Sequence, residues 1–421
     1  MRYLYTLLFY LIMPFVFLRL WWRSKRIPGY RQGWAERLGY CPYRLEKSIW
    51  VHAVSVGETI AAVPLIKALL QEFPQLPLVV TNMTPTGAAR VKAAFNDSVR
   101  QVYIPYDVPG AVNRFLQRIN PQIAVVMETE LWPNLFAGCR KRHIPIVIAN
   151  ARLSAKSAQG YAYILSLTRD IFTAIHSLAA QASADAERFI ALGLNRKKVT
   201  VTGNLKFDLE LPADLSDKSE ALQNRLGKER LIWIAASTHP GEEEIILAAH
   251  HLILKKYPAA LLILVPRHPD RFAAVAELAE QQMFKVIRRS SGETCSAQTE
   301  IYLGDTMGEL LLLYSVAQVA FVAGSFAQVG GHNMLEPAVL QKPIITGPVL
   351  FNFAEISQML LTAKGMVIVQ NAEELAAQIG HFFADHNYRK LIGENAYQVV
   401  AANRGALQKQ MGLIRAVMTK E

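Results

Sequence analysis

The sequence predicts an α/β protein of two doubly wound, parallel-sheet domains, preceded by an apolar N-terminal helix. Three observations predict it. Short runs rich in Val and Ile alternate with amphipathic stretches in two successive series, a polar segment separates the series, and the uncharged stretch 3–18 precedes both. Such alternation favours parallel sheets with helices on both faces.

The uncharged stretch comes first along the chain. Its sixteen residues fall short of the roughly 20 that comfortably span a bilayer, and basic residues follow it instead of a small-residue cleavage site. The Trp21-Trp22 pair suits the headgroup region. The basic residues nearby are Arg19, Arg23, Lys25, Arg26 and Arg31. We expect residues 1–26 to anchor the chain to an anionic membrane surface with the body on the cytoplasmic side, either spanning the bilayer or lying in its interface. A buried helix of a soluble domain is the alternative.

The two series of predicted strands define the domains. The first series comprises residues 49–53, 78–81, 101–104, 123–128, 144–148, 177–180 and 199–201. The second comprises residues 231–235, 261–265, 285–287, 300–303, 319–322, 343–345 and 366–368. We therefore predict a first domain over 27–208, a linker over 209–229 and a second domain over 230–421, whose last helix could return to the first domain.

Composition limits the functions that this chain can have. Its 421 residues suffice for two or three cores, and 45 basic against 34 acidic residues give a net charge of +11. That charge favours nucleic acid, phosphorylated metabolites or acidic lipid as partners. The three cysteines, Cys41, Cys139 and Cys295, are too far apart for a CxxC site or a disulfide framework. A reducing compartment is the simplest location.

Polar residues follow the strands of the first series. Glu58 opens a helix directly after the first strand, where its carboxylate stays ionised and can act as a base; a first-turn residue that complements the helix dipole fits equally well. Thr84 and Thr86, with Arg90 one turn later, suit either a polar ligand or an ordinary N-cap.

The end of the fourth strand carries a second group of polar residues. Glu128 and Glu130 stand there beside an indole, and burying two carboxylates without partners is expensive, so we predict a ligand site. Arg152 follows the next strand and can pair with these carboxylates or with an anionic ligand.

The loops of the second series resemble phosphate sites, because hydroxyls, glycines and a guanidinium stand at predicted helix starts. Their recurrence at successive strand ends predicts nucleotide binding, and in open α/β sheets such loops line one cleft. The residues singled out there are Ser237, Thr238, Arg267, Gly324, Ser325, Gly331, Asn333, where a helix is predicted to begin, and Glu336.

Several kinds of site are absent from the sequence. It contains no HExxH, Cys/His cluster, GxSxG elbow, P-loop or dinucleotide GxGxxG pattern. We therefore expect no metal, with Arg267, Lys206 and helix ends offsetting phosphate charge. RNA-stacking motifs are missing too, so nucleic acid is not expected as a partner. Taken singly, His239, His268 and His332 are typical of capping or hydrogen-bonding residues.

Eight motifs occur in order along almost the whole chain. They are VSVGE at 54–58, METELWPN at 127–134, NARLS at 150–154, TGNLKFD at 202–208, STHPGEE at 237–243, VPRHPDRF at 265–272, GDTMGEL at 304–310 and GGHNMLEP at 330–337. In this combination the sequence resembles the lipid A Kdo transferase family. The resemblance implies a GT-B glycosyltransferase of two Rossmann-like domains facing a central cleft, the first binding mainly the acceptor and the second the nucleotide sugar.

The resemblance also implies a reaction and its residues. The family moves 3-deoxy-D-manno-oct-2-ulosonic acid (Kdo) from CMP-Kdo to the lipid A precursor, lipid IVA, at the cytoplasmic face of the inner membrane during lipopolysaccharide synthesis. Glu58 matches the position of the general base in an inverting transfer, and no cofactor is implied, since CMP-Kdo is the donor substrate. The residues matching the CMP-holding stretches are Pro266, Arg267, Met307, Gly308, Glu309, Asn333, Met334, Leu335 and Glu336.

Two other functions stay open on the residues alone. One is another enzyme of two Rossmann-like domains, such as a nucleotide-sugar epimerase or a dehydrogenase. The glycine fingerprint that would favour a dehydrogenase is missing from this sequence. The other is a membrane-tethered nucleotide-binding protein without catalysis. A turnover assay with several activated sugars separates them.

Overall fold

The computed structural model describes residues 1–25 and 27–419, and the elements below are those of these residues. Arg26 of the predicted basic cluster and the last two residues, 420 and 421, lie outside them. The chain divides into two compact units, one formed by residues 1–208 and 403–421 and the other by residues 209–402.

The first unit contains a parallel seven-stranded sheet in the order β3-β2-β1-β4-β5-β6-β7. Its strands are β1 (Ser48–His52), β2 (Leu78–Asn82), β3 (Arg100–Tyr103), β4 (Pro121–Met127), β5 (Ile146–Ala151), β6 (Ile175–Ala180) and β7 (Val199–Val201). Its helices before residue 208 are α1 (Arg2–Ser24), α2 (Trp34–Arg37), α3 (Val56–Glu72), α4 (Pro85–Phe95), α5 (Pro109–Ile119), α6 (Pro133–Lys141), α7 (Ala155–Tyr163), α8 (Leu165–Thr173) and α9 (Ser183–Ala191).

The second unit contains another parallel seven-stranded sheet, in the order β10-β11-β9-β8-β12-β13-β14. Its strands are β8 (Ile232–Thr238), β9 (Leu261–Pro266), β10 (Val286–Arg288), β11 (Ile301–Leu303), β12 (Val319–Val322), β13 (Ile344–Thr346) and β14 (Met366–Ile368). Its helices are α10 (Leu215–Leu226), α11 (Glu242–Lys256), α12 (Phe272–Gln281), α13 (Leu310–Val316), α14 (Leu335–Val339), α15 (Ala354–Thr362), α16 (Ala372–Ala384) and α17 (His386–Asn403).

Burial explains why the strands are visible in the sequence. Strands β1, β2, β5, β9 and β12 are buried along their whole length, because helices cover both faces of each sheet, and each contains a run of at least three apolar residues. The strand order reverses between β1 and β4 in the first sheet and between β8 and β12 in the second, where β11 also inserts between β10 and β9. Ligands of open α/β sheets bind at the carboxyl ends of the strands that flank such a point. The predicted fold class is confirmed.

The end of the chain packs within the first unit. Helix α18 (Ala406–Met418) buries Gln410, whose side chain accepts a hydrogen bond from the Asn150 N–H at 3.1 Å and donates one to the Thr202 hydroxyl at 3.1 Å. The Asp208 carboxylate accepts from two N–H groups at the start of this segment, each at 2.6 Å. The last helix therefore belongs to the first unit.

Two local expectations differ from the structure. The sequence predicts a linker over 209–229, but α10 forms there, because Leu215, Leu222 and Leu226 share one buried helix face in the second unit. A helix is predicted near Asn333, but α14 begins at Leu335 and is only five residues long. So short a helix offers little dipole to a phosphate.

Candidate active site

Three glutamates meet at the strand-order reversal of the first sheet. Glu58 lies in the first turn of α3, just after β1, while Glu128 and Glu130 follow β4. The charge of Glu58 is close enough to raise the pKa of both other carboxyls. The sequence-predicted base and the two carboxylates at the end of the fourth strand therefore form one cluster.

The orientation of Glu58 is set by a capping box at the start of α3. Its Oε1 accepts from the Ser55 hydroxyl at 2.7 Å and the Ser55 N–H at 3.2 Å, while its Oε2 accepts from the Val54 N–H at 2.8 Å. The residue is 8% exposed. Each carboxylate oxygen has two lone pairs, so Oε2 has capacity for one more donor. Glu58 therefore both caps the first turn of α3 and belongs to the three-glutamate cluster.

The other two glutamates are partly buried. Burial, followed by the charge of Glu58, raises the pKa of Glu128, while Lys206 and Arg152 act in the opposite direction. Burial raises the pKa of Glu130 to about 6, although the Trp132 indole N–H donates to its carboxylate at 2.8 Å. The cluster therefore combines accumulated negative charge with two nearby cations.

We predict that Glu130→Gln stabilises the first unit at high pH. The raised pKa means that the folded state holds the proton more tightly than the unfolded state, so ionisation destabilises the fold as the pH rises through about 6. A shift from 4.5 to about 6 corresponds to roughly 2 kcal/mol, and glutamine never ionises. Thermal unfolding midpoints at pH 4.5 and pH 8 should show the variant close to wild type at the lower pH and clearly more stable at the higher.

The control for this prediction is Glu46→Gln, the same change at an exposed glutamate of the same unit. It should leave both midpoints unchanged. If Glu130→Gln has the same effect on stability at both pH values, Glu130 does not titrate in the way described.

The other residues predicted to bind a ligand in the first unit take less part in the glutamate cluster. The Thr84 hydroxyl accepts from the Gly87 N–H at 3.1 Å and caps α4. Of the two interpretations offered by the sequence, this is the ordinary N-cap. Thr86, Arg90 and Arg152 are exposed, and of these the charge of Arg152 reaches Glu128. Lys206, predicted to offset phosphate charge, lies in the first unit and also lowers the pKa of Glu128.

Three histidines meet at the strand-order reversal of the second sheet. The rings of His239, after β8, and His332, after β12, are stacked 5.0 Å apart with their Nε2 atoms 2.8 Å from each other, and His268 stands edge-on to His239 at 5.4 Å. Burial and the nearby charge of Arg267 lower the pKa of His332 to about 3. Two imidazole nitrogens at this distance share one proton, so the pair is not doubly charged. In the sequence these three histidines are far apart, and nothing there reveals that they form a cluster.

Glu242, which is not among the residues predicted from the sequence, organises the loop after β12. Its side chain is fully buried at the start of α11 and accepts N–H hydrogen bonds from His239 at 3.0 Å, Gly324 at 2.8 Å, Ser325 at 3.0 Å and Phe326 at 3.0 Å. Gly324 and Ser325 are predicted to lie in a phosphate-binding loop, but their N–H groups already have an internal acceptor. Gly324 has φ +73°, and a Cβ there would come within 2.6 Å of the His332 ring.

A neighbouring glutamate fixes the loop after β8. Glu243 is buried, accepts from the Thr238 hydroxyl at 2.8 Å and pairs with both terminal nitrogens of Arg271, at 2.5 and 3.2 Å. The predicted ligand group Thr238 is consequently engaged with the fold, whereas Ser237 is half-buried and Arg267 is exposed. Consecutive glutamates after a Pro-Gly turn were the available signal in the sequence.

The predicted stretch 307–309 borders a cavity of about 300 Å³. Gly308 and Glu309 line it together with Asp214, Lys218, Arg225 and Arg289, so three basic side chains face two acidic ones. The Glu309 carboxylate accepts from Arg289 at 2.9 and 3.0 Å, and this pairing lowers the pKa of Glu309. Met307 is exposed beside it. The contribution of Arg289 is not apparent from the sequence.

The predicted stretch 330–336 combines packing and polar roles. Met334 and Leu335 are fully buried, and Pro266 is buried at the end of β9. Asn333 holds this turn through its side chain. The side-chain NH2 group donates to the Glu336 carboxylate at 3.1 Å, and the side-chain carbonyl accepts from the Leu335 N–H at 3.1 Å. The N–H of Gly331 donates to the Gly324 carbonyl at 2.7 Å and ties this turn to the loop held by Glu242.

Comparison with known proteins identifies the class. Residues 32–209 match the family described as 3-Deoxy-D-manno-octulosonic-acid transferase (kdotransferase), and residues 229–399 match Glycosyl transferases group 1. The fold is similar to that of a UDP-GlcNAc 2-epimerase from Neisseria meningitidis, with a TM-score of 0.57 over 89% of this chain and 100% of that one at 15% identity. The protein is therefore a glycosyltransferase of two α/β units.

Its relatives define the family. The 3-deoxy-D-manno-octulosonic acid transferase of Haemophilus influenzae is 43% identical over 425 residues, covering 100% of this chain and 99% of the relative. The protein of the same name from Bordetella pertussis is 34% identical, covering 97% of this chain and 98% of the relative. The chain belongs to the Kdo transferase family, and the resemblance found in its sequence is confirmed.

Proposed function

We propose that this Kdo transferase moves Kdo from CMP-Kdo to the lipid A precursor, lipid IVA, by an inverting displacement in which Glu58 is the general base. The observation that carries the proposal is the three-glutamate cluster at the strand-order reversal of the first sheet. It supports base catalysis because the Glu58 carboxylate is rigidly oriented by its capping box, and among the described residues its Oε2 accepts from one donor only.

The proposed step is a single displacement. A sugar hydroxyl of the acceptor attacks the anomeric carbon of Kdo, the bond from that carbon to the CMP phosphate oxygen breaks, and the hydroxyl proton passes to the Glu58 carboxylate. Attack opposite the leaving group inverts the configuration. A neutral hydroxyl is a weak nucleophile, so proton removal as the bond forms lowers the barrier.

The departing CMP gains negative charge, and we assign its stabilisation to the second unit. Arg267 is exposed beside the three histidines, and Arg225 borders the cavity next to Gly308. Lys218 lines the same cavity and pairs with Asp214 at 2.6 Å. Fixed cations of this kind stabilise developing phosphate charge without a metal. The proposed reaction is therefore independent of added metal, and chelation should leave the rate unchanged.

The proposed acceptor carries acyl chains, which favours a reaction at the lipid surface. Helix α1 is the one helix among the described residues that is long and apolar enough to cross a membrane. We propose that it holds the enzyme at the cytoplasmic face of the inner membrane, where exposed Arg19, Arg23 and Lys25 favour anionic lipid.

The test is a turnover assay with purified protein, CMP-Kdo and lipid IVA, in which products are weighed by mass spectrometry with and without chelator. We expect the acceptor to gain the mass of Kdo while CMP is released, in equal amounts with chelator present. Conversion of a nucleotide sugar without transfer would favour an epimerase, and CMP binding without turnover would favour a non-catalytic binding protein.

A further inference from the structure

Helix α1 packs along the body of the first unit with one face and exposes the other. The packed face contributes Phe9, Met13, Val16, Phe17 and Leu20 to a cluster with Tyr30, Trp34 and Tyr106. The exposed face carries large apolar side chains at helical spacing, namely Leu4, Leu7, Leu11, Phe15, Leu18 and Trp22, each at least half exposed. This second face is too apolar and too continuous to be stable against water.

The start of α1 is held to the body by polar contacts. The Thr6 hydroxyl lies 3.0 Å from the Asn134 amide nitrogen, and the Arg2 guanidinium lies 3.8 Å from the Asp170 carboxylate. The Tyr5 hydroxyl bonds to Asp107, whose carboxylate also accepts from the N–H of Asn134 at 3.0 Å. Asn134 lies at the start of α6, Asp170 lies within α8, and Asp107 lies in the loop between β3 and α5.

The end of α1 is held to the same body. The Phe17 ring centroid lies 5.6 Å from those of both Trp34 and Tyr106. The Arg23 guanidinium lies 5.0 Å from the centre of the Tyr30 ring, and the Ser24 hydroxyl accepts from Arg31 at 3.5 Å. The helix is therefore attached at both ends, about 33 Å apart at 1.5 Å per residue.

Attachment at both ends conflicts with a transmembrane crossing. If α1 crossed the bilayer with its contacts intact, Asp107, Asn134 and Asp170 would lie on the far side and the polar loops of the first unit within the hydrocarbon. Exposed loops and open sheet edges are not tolerated there. The helix crosses only if all these contacts break.

We propose that α1 lies in the plane of the membrane and inserts its exposed face into a single leaflet, with its N-terminus on the same side as the body. One leaflet of an anionic bilayer fits this surface, because apolar side chains run along the face while exposed Arg19, Arg23 and Lys25 reach the headgroups. The proposal deepens the membrane location given above and uses no part of the transfer chemistry, so each can fail without the other.

Spin labels placed along the exposed face test the orientation. Leu4→Cys, Leu11→Cys and Leu18→Cys are made singly in the full-length chain with Cys295→Ser, since Cys41 and Cys139 are buried. In vesicles of phosphatidylethanolamine and phosphatidylglycerol, collisions with oxygen and a polar nickel chelate report the depth of each label. We expect three similar depths in one leaflet. A spanning helix would separate the first and last labels by about 21 Å in depth, with the middle one deepest, and that result would overturn the proposal.

The side on which the N-terminus lies gives an independent test. A short polar extension carrying one cysteine precedes Met1 in the Cys295→Ser background, and Asp97→Cys, exposed on the body, marks the side of the first unit. An impermeant maleimide should label both in inverted inner-membrane vesicles and neither in spheroplasts. Labelling of the extension in spheroplasts alone, or only after detergent, would contradict an in-plane helix. Full transfer activity with a spanning helix would leave the proposed reaction standing while this inference fails.

Discussion

Replacing Glu58 with glutamine is expected to lower the transfer rate by a factor of about 10²–10⁴, the usual contribution of a positioned general base. Glutamine also serves at the third position of a capping box, so its amide oxygen can still accept from Ser55. Its amide nitrogen leaves the Val54 N–H without an acceptor, at a cost of about 1–3 kcal/mol. The variant should therefore fold but fail to activate the acceptor hydroxyl.

The matched control is Glu72→Gln, the same change at the other end of α3, where the carboxylate pairs with Arg415 at 2.6 Å on the surface. That variant should transfer Kdo at the wild-type rate. Initial rates are measured with CMP-Kdo and lipid IVA, and CMP affinity is measured by calorimetry. CMP should bind both variants as it binds wild type, because the donor residues proposed here lie in the second unit. A Glu58→Gln enzyme retaining more than about one tenth of the rate would remove Glu58 from the role of base.

The predicted strands agree with the structure because burial leaves a local trace. Every predicted strand overlaps an observed one in the described part of the chain, from β1 to β14. Strands buried on both faces must be apolar at successive positions, and no distant residue is needed to recognise such a run. The segment 209–229 shows the limit, since the three leucines of α10 are spaced among polar residues and become a helix face only against the second unit.

The site is less predictable because it depends on distances between loops. Glu58 and Glu128 each attract attention at a strand end, yet only the adjacency of β1 and β4 shows that their charges interact. The same holds for His239 and His332, ninety-three positions apart in the chain. Gly324 is predicted to lie in a phosphate-binding loop, and its N–H does meet an anionic oxygen, but that oxygen belongs to Glu242.

Removal of Glu242 should have the largest effect on folding among the substitutions considered. In Glu242→Ala, the N–H groups of His239, Gly324, Ser325 and Phe326 lose their common acceptor in a fully buried setting. At about 1–3 kcal/mol for each orphaned donor, the loss is about 4–12 kcal/mol, comparable with the total stability of a typical domain. We therefore expect the second unit to lose its fold, seen as insoluble protein or as rapid proteolysis within residues 209–402.

Glu244→Ala is the matched control, because Glu244 lies in the same first turn of α11 but is exposed. It should remain soluble and melt close to wild type. Glu242→Gln should be intermediate, since one amide oxygen can still accept while the amide nitrogen faces N–H donors. A soluble Glu242→Ala protein that melts within about 2 °C of wild type would show that the loop does not depend on this carboxylate. Because Gly331 donates to the Gly324 carbonyl, the same carboxylate also supports the turn predicted to hold CMP, so any folded Glu242→Gln protein should bind CMP more weakly than Glu244→Ala.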